Sequence, residues 1–145
     1  MRTVRPAVAD DIPALIALDT VAPDPTRGAQ IEAWVVAGQC LLLEEQGSVL
    51  GYMALTRSFF HSPFIEMLMV DRRQRRTGVG CALVRHAITT VRPDGTLWTS
   101  TNESNLPMRS LLQRLDFVES GTVYNLDPGD PEIIFLHRPE KRGDL

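Results

Sequence analysis

Residues 64–91 read FIEMLMV-DRRQRRTGVG-CALVRHAITTV, and the rest of the chain is placed around them. Phe64 to Val70 is an apolar run of strand length, and Asp71 to Gly80 is a basic loop punctuated by Gly78 and Gly80. Cys81 to Val91 then carries apolar residues at helical spacing. A strand that empties through a glycine loop into a helix start gathers free backbone N–H groups at the positive end of a helix dipole. Glycine lets the main chain approach a ligand closely and take conformations that a Cβ forbids. With Arg72, Arg73, Arg75 and Arg76 beside it, the loop reads as a cradle for a diphosphate. GxGxxG and GxxxxGK[ST] are both absent, so the Rossmann and P-loop readings lose their fingerprints.

Length and composition set the frame. A chain of 145 residues is expected to be a single domain, residues 1–145, long enough to bury a substantial core. Hydrophobic residues make up 43% and charged residues 23%, as in ordinary globular proteins. The net charge of −3 gives no global basic field, so no nucleic-acid partner is expected. No apolar run approaches a membrane span, and MRTVRPAVADD has no signal-peptide core, so no membrane association is expected. Cys40 and Cys81 make no disulfide scaffold, and three scattered histidines have no zinc spacing, so no metal is expected. A cytoplasmic protein with reduced thiols fits these features.

Upstream, Thr3 to Ala7 reads as a short strand and Asp10 or Asp11 as the cap of a helix to about Asp19. Val21 to Thr26 is a Pro-rich loop, and Arg27 to Ala37 a second helix ended by Gly38. Trp34 reads as core, with contact to a substrate as the alternative. Cys40 to Glu44 and Val49 to Thr56 form a hairpin about Gln46-Gly47-Ser48, and Gly51 inside its second strand signals a bulge or a close approach. Phe59, Phe60 and His61 lie in the next connection, either walling a pocket or folding under as core.

Downstream, Arg92 to Gly95 is a turn and Thr96 to Ser100 a strand. Ser104 or Asn105 caps a helix that repeats Met108, Leu111, Leu112 and Leu115 on one face. Phe117 to Val123 and Glu132 to His137 are closing strands, and the tail PEKRGDL is polar. Hairpins on one side and β-α-β crossovers on the other give an α/β fold, a mixed central sheet flanked by helices on both faces.

Arg75-Arg76-Thr77-Gly78-Val79-Gly80 resembles the (Q/R)-x-x-G-x-(G/A) signature of the GNAT (GCN5-related) N-acetyltransferases. A second segment, Asn105 to Phe117, is similar to that family's N-terminal-Asn helix, and the resemblance spans about Thr3 to Leu136. It implies the GNAT, or acyl-CoA N-acyltransferase, fold and acetyl-CoA as co-substrate. It also implies a cofactor set of Arg75, Arg76, Thr77, Gly78, Val79, Gly80 and Cys81 at the diphosphate. Leu68, Met69 and Val70 would lie along the pantetheine arm, with Asn105 and Met108 from the later helix.

The implied activity is direct acetyl transfer to the primary amine of a small molecule or a peptide, and relatives are often homodimers. Within the strand, a backbone N–H at Met69 would stabilise the developing oxyanion, and Glu66 is the candidate base. A carboxylate inside an apolar strand is expected to be buried, which would raise its pKa. Cys81 also reads as a nucleophile candidate, less well than as a small helix residue. The family's acid, a tyrosine, falls at Leu112, which cannot protonate a thiolate. Tyr124, Ser110 and Cys81 are weak substitutes, and the substitution motivates an alternative, a non-catalytic acyl-CoA-binding module of the same fold.

Overall fold

The computed structural model describes residues 1–19, 24–91 and 95–139. The expected segments at 21–23, 92–94 and 140–145 lie outside the described residues. In chain order the elements are β1 (Arg2–Pro6), a 3-10 turn (Ala9–Asp11), α1 (Ile12–Ala17), α2 (Arg27–Val36), β2 (Cys40–Glu45), β3 (Ser48–Phe59) and β4 (Ser62–Val70). A second 3-10 turn (Arg72–Gln74) leads to α3 (Val79–Val91), β5 (Leu97–Asn102), α4 (Leu106–Arg114), β6 (Val118–Val123) and β7 (Glu132–His137). The chain groups into two compact units, Met1–Leu55 with Glu66–His86 and Thr56–Ile65 with Ala87–Leu145.

In the first unit the strands are ordered β1-β2-β3-β4. β1 and β2 pair antiparallel from Arg2↔Glu45 to Pro6↔Leu41, and β2 and β3 from Cys40↔Ala54 to Glu45↔Ser48. Their turn puts Gln46 at φ 50° and Gly47 at φ 81°, the left-handed pair a two-residue hairpin demands. Leu42, Tyr52 and Ala54 face Leu15, Leu18, Ile31 and Trp34 of the α1–α2 layer, and Met67 and Met69 pack on the same cluster. Trp34 is therefore core, as expected.

The opposite face of these strands receives α3. An added Cβ on Gly51 would stand 2.8 Å from the Met69 carbonyl oxygen and 2.9 Å from Val79 Cγ1. The β2–β3 register also shifts between Leu43 and Glu44, beside the Leu43↔Gly51 pair. Both halves of the expectation for Gly51 hold. At the sheet edge Arg5 donates to both Asp11 oxygens (2.8 and 2.9 Å) and also bonds Glu44, which fixes the entry into α1.

In the second unit the order is β4-β5-β7-β6. β4 and β5 run parallel through two register pairs, Phe64↔Trp98 and Ile65↔Thr99, and Thr99 Oγ1 donates to the Ile65 carbonyl at 3.0 Å. β5–β7 and β7–β6 are antiparallel, so this sheet is mixed. Alternation along β5 buries Leu97, Thr99 and Thr101, while α4 buries Leu111 and Leu112. Asp116 turns out of α4 at φ 68°, a conformation in which aspartate substitutes for glycine.

The β3–β4 connection differs from the expectation. β3 runs to Phe59 and turns directly into β4, with Phe60 at φ 50° and His61 at φ 63°. The bulky Phe60 is unusual there; Arg57 Nη1 holds the His61 carbonyl at 3.2 Å, and the Phe60 ring meets Phe59 edge-on at 5.0 Å. Phe59 also stacks near Phe64 and Trp98, each at 5.2 Å. The aromatics therefore divide: Phe59 folds under, and Phe60 is 86% exposed at the tip.

Candidate functional site

The β4–α3 junction lies wholly in the first unit. After Val70 the chain enters a 3-10 turn held by Asp71, whose Oδ1 accepts the Arg73 backbone N–H at 3.0 Å. Arg73 returns its guanidinium to the same carboxylate, and this holds Asp71 below the usual carboxylate range. Gln74 then braces the loop, its carbonyl accepting from Thr77 N (3.3 Å) and Thr77 Oγ1 (2.6 Å). Arg76 and Gly78 follow in left-handed conformation, φ 66° and 88°.

Those two inversions precede the first turn of α3. The first bond of α3 runs from Ala82 N to the Gly78 carbonyl at 3.0 Å. Among the described residues no acceptor meets the N–H groups of Arg76, Gly78, Val79, Gly80 or Cys81. Unpaired amides at a helix start form an anion site if solvent can reach them, and Arg76, Thr77 and Gly78 are exposed. Arg72, Arg75 and Arg76 are also exposed, and among the described residues none of them enters an ion pair. The helix begins at Val79, two residues earlier than its apolar pattern suggested, so Val79, Gly80 and Cys81 are its first turn.

These residues suit a diphosphate: several amide donors with no acceptor among the described residues, three guanidiniums outside the ion pairs, and no side chain at Gly78 to fill the space. Its absent Cβ would have only Arg2 Nη1, at 3.9 Å, within van der Waals range. A separate open groove of about 660 Å³ is bounded by Ala14, Leu18, Ser48 and Asp71 to Arg73, and none of the unpaired amides lines it.

On β4, Leu68, Met69 and Val70 are half-buried. Met67 and Met69 face the α1–α2 cluster, so alternation sends Glu66, Leu68 and Val70 to the other side. Glu66 is exposed. The expected burial of this carboxylate is thus overturned: an apolar strand sequence fixes which residues share a face, not whether that face is covered at every position.

In the second unit, Asn105 is the N-cap of α4, its Oδ1 accepting the Met108 N–H at 3.2 Å. Met108 is half-buried in the first turn. Leu112, at the position of the family's tyrosine, is fully buried, whereas Tyr124 is 67% exposed beyond β6. Cys81 is half-buried, and Cys40, in the core, has its thiol pushed up to about 11 by burial and the nearby Asp11 charge.

Two features escape the sequence. Arg2 Nη1 donates to the Thr77 carbonyl at 2.6 Å, across 75 residues of chain. Beside Met67, Arg27 pairs with Asp19 at 3.4 Å, while the buried Arg27 Nε and the buried Tyr52 hydroxyl find no hydrogen-bond partner among the described residues.

A parallel strand, a glycine loop whose amides meet no acceptor among the described residues and a cationic rim define an α/β protein with a junction suited to a phosphate-bearing ligand. The sequence profile of the acetyltransferase (GNAT) family matches residues 10–117, and the chain belongs to that family. A GNAT acetyltransferase from Bacillus cereus is 31% identical, with TM-score 0.88 over 97% of this chain and 99% of its own. The ribosomal-protein-S18-alanine N-acetyltransferase of Escherichia coli shares the fold at 21% identity, TM-score 0.81, over 100% and 99%. The Salmonella typhimurium protein yncA, solved with its cofactor acetyl-CoA, shares it at 18% identity, TM-score 0.75, over 99% and 96%. No curated protein matches the sequence.

Proposed function

We propose that this GNAT acetyltransferase carries an acetyl group from acetyl-CoA directly to the primary amine of a small molecule or a peptide, its 145 residues acting as one catalytic domain in the cytoplasm. The observation that carries the reading is the set of amides at Arg76 and from Gly78 to Cys81 that meet no acceptor among the described residues, behind three unengaged arginines. Bound acetyl-CoA supplies an activated thioester; the chain supplies position and charge.

The amides of Gly78 to Cys81, with Arg75 and Arg76, hold the diphosphate by charge-assisted hydrogen bonds. Among the described residues the parallel ladder between β4 and β5 has two register pairs, Phe64↔Trp98 and Ile65↔Thr99. That short ladder supports the use of the Leu68 to Val70 main chain to pair with the pantetheine arm. The Met69 N–H then stabilises charge on the carbonyl oxygen, a contribution on the order of 3 kcal/mol. Asn105 spends Oδ1 on its cap and keeps Nδ2 for the arm, with Met108 beside it in sequence.

Glu66 takes a proton from the incoming ammonium, through water, an exposed position suiting that route. Transfer would form the N–C bond as the C–S bond breaks; the second proton of the amine would pass to solvent or to the departing thiolate, with no donor from α4 required. No metal takes part in this sequence. Glu66→Gln should slow turnover most at acidic to neutral pH and leave cofactor affinity unchanged; an unaltered pH–rate profile removes Glu66 as the base.

The buried Leu112 favours a second reading, a module that binds acyl-CoA without turning it over. Thiol release over a panel of amines separates the two. Acceptor-dependent release establishes the transferase, and micromolar binding without release establishes the module.

A further inference from the structure

We infer that Arg2, on the first strand, is a positioning residue for the diphosphate cradle: it holds the Thr77–Gly78 peptide so that its N–H faces the cofactor. The inference rests on the cofactor reading of the loop given above. Three observations carry it.

In a planar trans peptide the carbonyl and the following N–H point in opposite directions. Arg2 Nη1 binds the Thr77 carbonyl at 2.6 Å, so the Gly78 N–H is turned away from Arg2. A flipped peptide would present an oxygen where an anion must sit. Flipping is a real alternative at this point because Gly78, at φ 88°, has no side chain to oppose it.

The same carbonyl is the one that a continuous α-helix would give to the Cys81 N–H, four residues on. Arg2 engages that carbonyl, the helix makes its first bond one residue later at Ala82, and the Cys81 amide is left for a ligand. One guanidinium thus influences two of the five unpaired donors.

Arg2 is itself steered. It lies directly opposite Glu45 in the β1–β2 register, and its Nε approaches that carboxylate at 3.7 Å. On the other side Gln74 fixes Thr77 through both its N–H and its hydroxyl, so the peptide is gripped from two directions. Exposed ion pairs stabilise folds little, so the effect of Arg2 should appear in binding rather than in folding.

The test compares the full chain with Arg2→Met, which keeps the apolar stem, and Arg2→Lys, which keeps one donor. Calorimetry should show acetyl-CoA bound about tenfold more weakly by Arg2→Met, the effect of one lost charge-assisted hydrogen bond. Arg2→Lys should recover part of that loss, and the melting temperature without ligand should not move. Acetyl-pantetheine, which lacks the diphosphate, should be turned over equally well by wild type and Arg2→Met, with the change confined to KM for acetyl-CoA. Unchanged acetyl-CoA affinity in Arg2→Met overturns the inference, as does an equal loss toward both thioesters. Failure of the wild type to bind acetyl-CoA at all would sink the cofactor reading first, before any variant is compared.

Discussion

Two helices of this protein start just after a strand, and they treat their first amides in opposite ways. At α3, Arg76 and Gly78 invert the backbone, and the amides from Gly78 to Cys81 meet no acceptor among the described residues. At α4, Asn105 Oδ1 takes the Met108 N–H, and Asp130 accepts from Ser104 N (3.1 Å) and Ser104 Oγ (2.6 Å). Asn102 adds bonds to Asp127 and to the Asp130 carbonyl. The α4 start is closed by its own side chains, and the α3 start is open. Every α-helix has the dipole and the orphan amides; what makes an anion site is that the chain leaves them unpaired. A glycine and an arginine in left-handed conformation do this at α3, where an Asx cap would have ended it.

The comparison breaks most sharply at Gly78. Gly78→Glu places a carboxylate among the free amides and imposes a positive φ on a residue that disfavours it. Acetyl-CoA binding should fall at least about a hundredfold, beyond two lost charge-assisted contacts, as read by calorimetry. Retained affinity would take the loop out of the site.

Gly51→Ala attacks the same junction from behind. Its Cβ would press on the Met69 carbonyl and on Val79, which are backbone and the first residue of α3. Overpacking of this kind costs about 1–3 kcal/mol. Both denaturant midpoint and cofactor affinity should drop, because the displaced groups belong to the site. A stability loss with affinity intact would show that the cradle does not depend on its packing against β3.

How much of this contrast could be read from the residues alone follows from the range of each interaction. The α3 junction was legible because its signals are local: two glycines, a basic run, an apolar strand before and a helical stripe after. Gly51 was legible for the same reason, as was Asn105 as a cap. Glu66 was misread as buried because alternation assigns faces without saying where the covering layer ends. Arg2 carried no signal, since its partner is 75 residues away and its type is common on edge strands. The turn at Phe60–His61 was hidden because a phenylalanine is a poor candidate for positive φ; its support comes from Arg57 and the Phe59 ring, which only the folded hairpin brings near.

The closed junction is tested at Asn105. Aspartate caps a helix about as well as asparagine but lacks the amide donor. Asn105→Asp should therefore keep stability within about 0.5 kcal/mol while weakening acetyl-CoA about threefold, a fraction of one hydrogen bond. Asn105→Ala loses the cap as well, about 1 kcal/mol by thermal melting. If Asn105→Asp binds acetyl-CoA as wild type does, Asn105 is a cap only, and α4 is closed to the cofactor altogether.

The smallest effect belongs to Asp71, which holds up the open junction from outside the amide cluster. The Arg73 guanidinium, and then the Arg73 backbone N–H, keep its carboxyl below the ordinary value. Its folded pKa is depressed, so its contribution is fully present above the unfolded value near pH 4 and is lost as pH falls through the folded pKa. Arg73 is 86% exposed on its side chain, so water screens the pair and its contribution should be small. Asp71→Asn keeps an acceptor for the Arg73 N–H and removes the charge. Urea unfolding of the two proteins from pH 7 down to about pH 3 should show a small gap that closes across that window. A gap that stays constant to the lowest pH would mean that the neutral hydrogen bond, and not the ion pair, sets the turn ahead of the open amides.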